Sequence, residues 1–271
     1  MFKALLFTVA IGLATPAAAQ VPDSAWTPLF NGKNFDGWMA AYASKPVDSR
    51  PASALFTVEN NMIHTYANDA AGTEQSFAIL ETDKEYQDYR ISLEYKWGTK
   101  KFGPRRDLLR DAGLLYHKHA DKAFDWPPAV ESQIQEGDAG DLWAISSQAS
   151  STIHPLTSRH ALPADGGVPV TVGKFGDYGR IRHGALNELP EWNTVEVIVR
   201  GDRAIHIVNG FINMRATDLK RWDPGKAAWV RLDRGKIAIQ AESAEIYYRN
   251  IRIRPLTPDE IKLLDSGSLS Q

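Results

Sequence analysis

The sequence predicts an all-β fold, an antiparallel sandwich, and three observations carry that prediction. From Ala54 onward, short runs alternate apolar and polar residues and are broken by turn residues. Val208-Asn209-Gly210-Phe211 contains the Asn-Gly pair that supplies the positive φ angles of a tight hairpin. No helical crossovers separate the runs, which disfavours a buried parallel sheet.

Lys3 gives the N-terminus a positive charge, Ala4 to Leu13 is almost continuously apolar, and Ala17-Ala18-Ala19 offers the small-x-small pattern that signal peptidase cleaves. Residues 1–19 are therefore expected to be a secretory signal peptide, placing the protein in a periplasm or outside the cell. The apolar run falls well short of the roughly 20 residues that span a bilayer, so no membrane association is expected after cleavage. A single domain is expected over residues 24–257. Its strands begin with Ala54 to Val58 and Met62 to Tyr66, paired as a hairpin, followed by Phe77 to Thr82, Tyr89 to Trp97, Ala112 to Lys118 and Glu131 to Glu136. Trp192 to Arg200, Ala204 to Val208, Lys236 to Ala241 and Ile246 to Ile253 complete the set. Ile145 to Leu189, rich in Gly, Pro, His and Ser, reads as long loops with short strands, the kind of segment that carries function on a rigid scaffold. Thr257-Pro258-Asp259-Glu260-Ile261 has a Thr N-cap, Pro in the first turn and early acids, so a short helix opens a tail at residues 258–271.

Composition narrows the chemistry. The 271 residues contain no Cys, which removes thiolate nucleophiles, Cys-ligated zinc and iron–sulfur clusters. Thirty-one Lys and Arg against 33 Asp and Glu leave no excess positive charge to draw the chain onto phosphate backbones, so nucleic acid is not an expected partner. What remains is His, carboxylate, Lys, Tyr or Ser chemistry, or a metal bound through oxygen and nitrogen.

The period of two sorts strand residues onto faces. Glu131, Gln133 and Gln135 share one face, opposite Val130, Ser132 and Ile134. Asp111, Gly113, Leu115, His117 and His119 share another, as do Arg90, Ser92, Glu94 and Lys96, and Lys236, Ala238, Gln240 and Glu242. Each set alone fits a solvated sheet face. Together, carboxylate, amide, imidazole and ammonium suit a surface that binds a hydroxyl-rich ligand. His117 and His119, about 7 Å apart along a strand, can ligate one metal with Asp121 or Glu131 as a third donor. Gln135-Glu136-Gly137-Asp138-Ala139-Gly140-Asp141 joins acids to glycines beside the amide-lined strand, where a divalent cation such as calcium is possible through Asp138. Glu131-Ser132-Gln133-Ile134-Gln135-Glu136 approaches the Glu-x-Asp-x-x-Glu of retaining glucanases, but has Gln in the middle, and without a bulge Glu136 would face away from Glu131.

Leu29-Phe30-Asn31-Gly32-Lys33-Asn34-Phe35-Asp36-Gly37-Trp38 resembles the opening signature of the 3-keto-disaccharide hydrolase domain family. The resemblance continues through Asp111 to His117, Glu131 to Asp138, Glu191 to Val195, Asn209-Gly210, Gly235 to Glu242 and Tyr248 to Leu256, in order along the mature chain. His117 stands where many members have Arg, and Ala241-Glu242-Ser243 replaces a Gly-bearing turn. The resemblance implies a concanavalin A-like jelly roll of two curved sheets, with a carbohydrate substrate on the concave face. It also implies substrates oxidised at carbon 3, whose ketone acidifies the carbon 2 hydrogen so that the glycosidic bond leaves by elimination and water then adds. On that implication His117 or Glu131 is the base, and Lys96, His119 or a divalent cation stabilises the enolate. Glu94, Gln133, Gln135, Gln240 and Glu242 would hold hydroxyls while Trp143 stacks on a ring. Two other readings stand beside it. One is a non-catalytic lectin-like module. The other is a retaining glycosidase acting on unoxidised glucan, which needs Glu131 and Glu136 on one face about 5–5.5 Å apart.

Overall fold

The computed structural model describes residues 25–120 and 126–266. The expected signal peptide, Asp121 and the end of the C-terminal tail lie outside the described residues. Two antiparallel sheets form the molecule, with one short helix at the C-terminal end. The smaller sheet runs, in spatial order, Tyr178–Ile181, Leu142–Ile145, Ala129–Gln133, Gly113–Lys118, Lys236–Ala241, Ala78–Thr82 and Trp38–Tyr42. The larger is centred on Tyr89–Lys101, flanked by Asn193–Arg200 and Ala244–Pro255.

Alternation on these strands makes the core. Leu114, Tyr116, Val130, Leu142 and Ile239 from the smaller sheet meet Ile91, Leu93, Tyr95, Val195 and Val197 from the larger, all at most 1% exposed, in one apolar cluster. At about 1.5–3 kcal/mol per buried side chain, this layer is the main force holding the sheets face to face. The outer face of the smaller sheet then carries the opposite parity, and the cleft lies there.

Several boundaries differ from the sequence expectation. Ala54 and Leu55 belong to a 3-10 turn, Ala52–Leu55, and the strand begins at Phe56. The strand of Glu131 runs Ala129–Gln133 and stops where the Gln133 side chain accepts the backbone N–H of Ile134. The region expected as long loops with short strands contains the strands Ser147–Ile153, Val168–Val172 and Tyr178–Ile181, and Ser146, at φ 48°, turns the chain out of one sheet and into the other. The Asn209-Gly210 hairpin has both residues at positive φ, 51° and 83°, as the pair requires.

The helix Pro258–Asp265 is tied down by its capping box, in which Thr257 and Glu260 bond each other's backbone N–H. Glu260 also receives Arg254 at 2.5 and 2.8 Å and Arg90 at 2.7 Å. Burial pushes the Glu260 pKa up, but hydrogen bonds from Arg254, the Thr257 amide and Arg90 outweigh it and hold the group at about 2. A depressed carboxyl contributes stability above its ordinary range and loses it as pH falls through the folded value. Glu260→Ala is therefore expected to cost about 3 kcal/mol at pH 7, because it strands the buried Arg254. That deficit should shrink as pH falls toward about 2, which denaturant unfolding of both proteins across that range would check.

Candidate functional site

On the outer face of the smaller sheet a cleft of about 380 Å³ is lined by Glu131, Gln133, Gln135, Trp143, Gln240 and Glu242 together with Asp111, Arg105, Arg180, Tyr178, Trp126, Phe77 and Ile145. Register explains the convergence. Gly113 pairs with Gln133, Leu115 with Glu131, Glu131 with Trp143, and Trp143 with Arg180, so side chains from four strands stand in adjacent rows. Gly113 has no side chain, and a Cβ there would overlap the Glu131 carboxylate and crowd Gln240. That vacancy lets a carboxyl and an amide meet over the strand.

Asp111 and Glu131 form the electrostatic centre. Arg105 bonds Asp111, and Gln135 donates to it at 2.7 Å. Burial raises the Asp111 pKa, and Arg105, Gln135 and the Ala112 amide offset only part of that. Glu131, 5% exposed, is pushed well above the carboxylate range, first by burial and then by the Asp111 charge, against a hydrogen bond from Gln240. Two nearby carboxyls in a desolvated site resist double ionisation. Both carboxyls are thus biased toward their protonated forms, Glu131 more strongly than Asp111.

Arg180 completes the site. Its guanidinium lies 5.1 Å from the Trp143 ring centroid, its Nε donates to Asp141 at 2.7 Å, and its Nη2 lies 2.8 Å from Asp138. Asp141, fully buried, also accepts the backbone N–H and Nδ1 of His183 at 2.7 and 2.5 Å. Among the buried side-chain atoms of cleft residues, Asp111 Oδ1, Gln240 Oε1, Trp143 Nε1 and Arg105 Nε make no hydrogen bond within the protein, and Arg180 Nη2 makes only its ion pairs. Buried polar atoms are ordinarily paired, so these atoms are available to the polar groups of a ligand or to water.

Several residues named from the sequence sit elsewhere. His117 does not line the cleft. It adopts φ 51°, the register slips between Lys236 and Ala238 on the neighbouring strand, and Lys118 takes its place on the outer face, 2.6 Å from Glu81. The His117 ring turns inward, Nε2 donates to the Gly201 carbonyl at 3.0 Å, and burial lowers its pKa to about 4. His119 bonds the His117 carbonyl at 3.1 Å, is likewise lowered to about 4 by burial, and does not join His117 or Glu131 around a metal. Glu94 and Lys96 lie on the other sheet: Glu94 accepts from Arg249 and Asn250, both at 2.7 Å, and Lys96 stands 3.8 Å from Glu191 and over Trp192. Alternation put them on a polar face, but the face belongs to the wrong sheet.

Of the proposed metal ligands, Glu131 lines the cleft without His117 or His119 beside it, and Asp138 lies near it through Arg180. With Asp141 and His183 it forms a trio whose donor atoms lie within 4.8 Å of one another, a spacing that could hold a metal ion. Arg180 already bridges the two carboxylates, and a fixed guanidinium repels a second cation, so the donor set fits a metal poorly. Glu136 pairs with Arg110 at 2.7 Å and does not line the cleft, which removes the carboxylate geometry a retaining glycosidase needs. A larger hollow of about 610 Å³ surrounds Arg200, Asp202 and Arg231, but its charges neutralise one another, as in Arg231–Asp202 at 3.2 Å and Arg200–Asp265 at 2.8 Å.

Sequence reasoning missed Asp111, Arg105, Arg180 and Tyr178. Asp111 had a signal, since it shares the face of Gly113 and Leu115. Arg180 and Tyr178 fall in the segment singled out as function-bearing, but nothing local distinguished them. Arg105 arrives from a loop that only the tertiary fold places.

A two-sheet sandwich with a carboxyl pair, amides and an indole in one cleft defines a carbohydrate-active, glycosyl hydrolase-like protein. The chain belongs to the family of 3-keto-alpha-glucoside-1,2-lyase-like domains, which it matches over residues 25–254. Among solved structures it is similar to a candidate glycosyl hydrolase from Parabacteroides distasonis, with 19% identity and a TM-score of 0.50 over 86% of this chain and 95% of that one. A second such protein from the same organism gives 17% identity and a TM-score of 0.46 over 85% and 99%. The beta-glucanase of Bacillus licheniformis gives 8% and 0.44 over 86% and 97%. No curated protein matches the chain.

Proposed function

We propose that the cleft cleaves glycosides of sugars oxidised at carbon 3, by deprotonation at carbon 2, elimination and hydration. The observation that carries this is the convergence of two buried carboxyls, Asp111 and Glu131, with the guanidiniums of Arg105 and Arg180 in one cleft, where burial raises the pKa of both carboxyls. The Asp111 carboxylate takes the proton from carbon 2, which the adjacent ketone acidifies. The electron pair collects on the ketone oxygen as an enolate, held by Arg105 or Arg180, the guanidiniums of the cleft. As the enolate collapses, the bond from carbon 1 to the leaving oxygen breaks and Glu131 delivers its proton there. Water then adds to carbon 1 of the unsaturated sugar, giving a proton to Glu131 while Asp111 returns its own to carbon 2. The pair ends as it began, and the sum is hydrolysis. Gln133, Gln135, Gln240 and Glu242 supply partners for the hydroxyls and Trp143 supplies a stacking face. A lectin would have no use for a buried carboxyl whose pKa is pushed far above its ordinary range, which favours the enzyme.

The test is a paired assay. Purified protein should release the leaving group from a 3-keto-glucoside and not from its unoxidised parent, and a chelator should leave the rate unchanged. Equal release from both, or from neither, would overturn the reading.

A further inference from the structure

The cleft has chemically different ends, and the strand register orders them. The first row, Gly113 with Gln133, is polar; the next pairs Glu131 with Trp143; the third, about 6.6 Å further along, is Ala129, Ile145 and Tyr178. Past that third row the chain carries a second aromatic group, outside the cleft lining itself. Tyr178 packs edge-on against Trp143, ring centroids 6.0 Å apart, and closes a loop that carries Phe175. Phe175 is 54% exposed and lies 6.3 Å from Trp222, which in turn meets its cross-strand partner Trp229 at 5.6 Å.

The loop is held in place. Gly176 N donates to Ser146 Oγ and Ser146 N to the Asp177 carbonyl, both at 2.9 Å, and a Cβ on Gly173 would overlap the Ser147 carbonyl. Ser147 pairs with Arg221, the residue before Trp222, so the pinned loop and the Trp222–Trp229 pair flank the same end of the cleft. A large aromatic side chain left half in water on a fixed loop that runs directly into Tyr178 of the cleft fits contact with the apolar face of a ligand.

We propose that Phe175 and Trp222 form a leaving-group subsite, which makes the preferred substrates 3-keto-glycosides whose leaving group presents a flat apolar face, either a second sugar ring or an aromatic ring. The oxidised sugar occupies the polar row, where its hydroxyls find partners, and the leaving group extends over the Ile145–Tyr178 row onto Phe175. The inference rests on the proposed function for its naming of the two halves of the substrate.

The test uses Phe175→Ala and Trp222→Ala with methyl 3-keto-α-glucoside, p-nitrophenyl 3-keto-α-glucoside and a 3-keto-disaccharide. KM should rise about tenfold for the disaccharide, the aryl glycoside or both, with kcat and the methyl glycoside unchanged. Which of the two responds tells a sugar from an aromatic ring. An equal rise for all three, or none for any, overturns the subsite. Phe175→Ala, at an exposed position, keeps the test decisive if Trp222→Ala fails to fold. If no 3-keto-glycoside is turned over, the functional reading has failed, and fluorescence titration with unoxidised p-nitrophenyl and methyl α-glucosides decides the subsite alone. A loss of affinity in Phe175→Ala confined to the aryl ligand supports it, and equal or absent losses overturn it.

Discussion

Glu131→Gln is expected to lower kcat on a 3-keto-glucoside by about 10²–10⁴-fold, the usual worth of a positioned proton donor. The substitution keeps the side-chain shape over Gly113 and removes only the transferable proton. In the wild type the rate should fall toward acid as Asp111 becomes protonated, and toward alkali as Glu131 ionises, since burial and the Asp111 charge hold Glu131 well above its ordinary range. Glutamine does not titrate, so the residual activity should keep the acid limb and lose the alkaline one. Stability should move the other way. A carboxyl whose folded pKa is raised weakens the fold as pH climbs above its unfolded value, so the variant should melt higher than the wild type at neutral pH. An unchanged rate, or a persisting alkaline limb, would remove Glu131 from the proton transfers.

Asp141→Ala should have the largest effect on stability, about 3–5 kcal/mol, because it leaves Arg180 and His183 without the buried carboxylate that joins them. Burial alone would raise the Asp141 pKa, but His183 and Arg180 hold it below the usual carboxylate range, so the carboxylate is charged at neutral pH. The same change removes one of the two carboxylates that hold Arg180 beside the carboxyl pair and loosens its position there. Since the Arg180 charge lowers the Glu131 pKa, the alkaline limb should move to higher pH in the variant. Thermal unfolding and the pH dependence of kcat measure the two effects. A destabilised protein with an unmoved alkaline limb would make Asp141 a fold residue alone.

The architecture was legible because antiparallel strands write their faces at period two, and Lys236–Ala241 begins and ends where its pattern does. The same parity put Glu131 and Gln133 side by side, and the register brought Gln240 to them. Parity fails at a backbone irregularity. At His117 one positive φ exchanges it with Lys118, and no composition signal marks that residue as a bulge. Parity also says nothing about which sheet a strand joins, so Glu94 and Lys96 looked equivalent to Gln240 and Glu242 until topology separated them. Arg105 and Arg180 depend on a loop path and an edge pairing, both set by contacts between residues far apart in sequence.

Two guanidiniums, Arg105 and Arg180, line the cleft against the carboxyls Asp111, Glu131 and Glu242, of which Glu131 is pushed by burial toward its protonated form. The opening thus presents little net field to a molecule approaching through solvent. Proteins that gather charged ligands by long-range attraction capture them more slowly as ionic strength rises. On the proposed function the ligand is an uncharged sugar that arrives by diffusion and shape alone, and its capture rate should be as fast in brine as in dilute buffer.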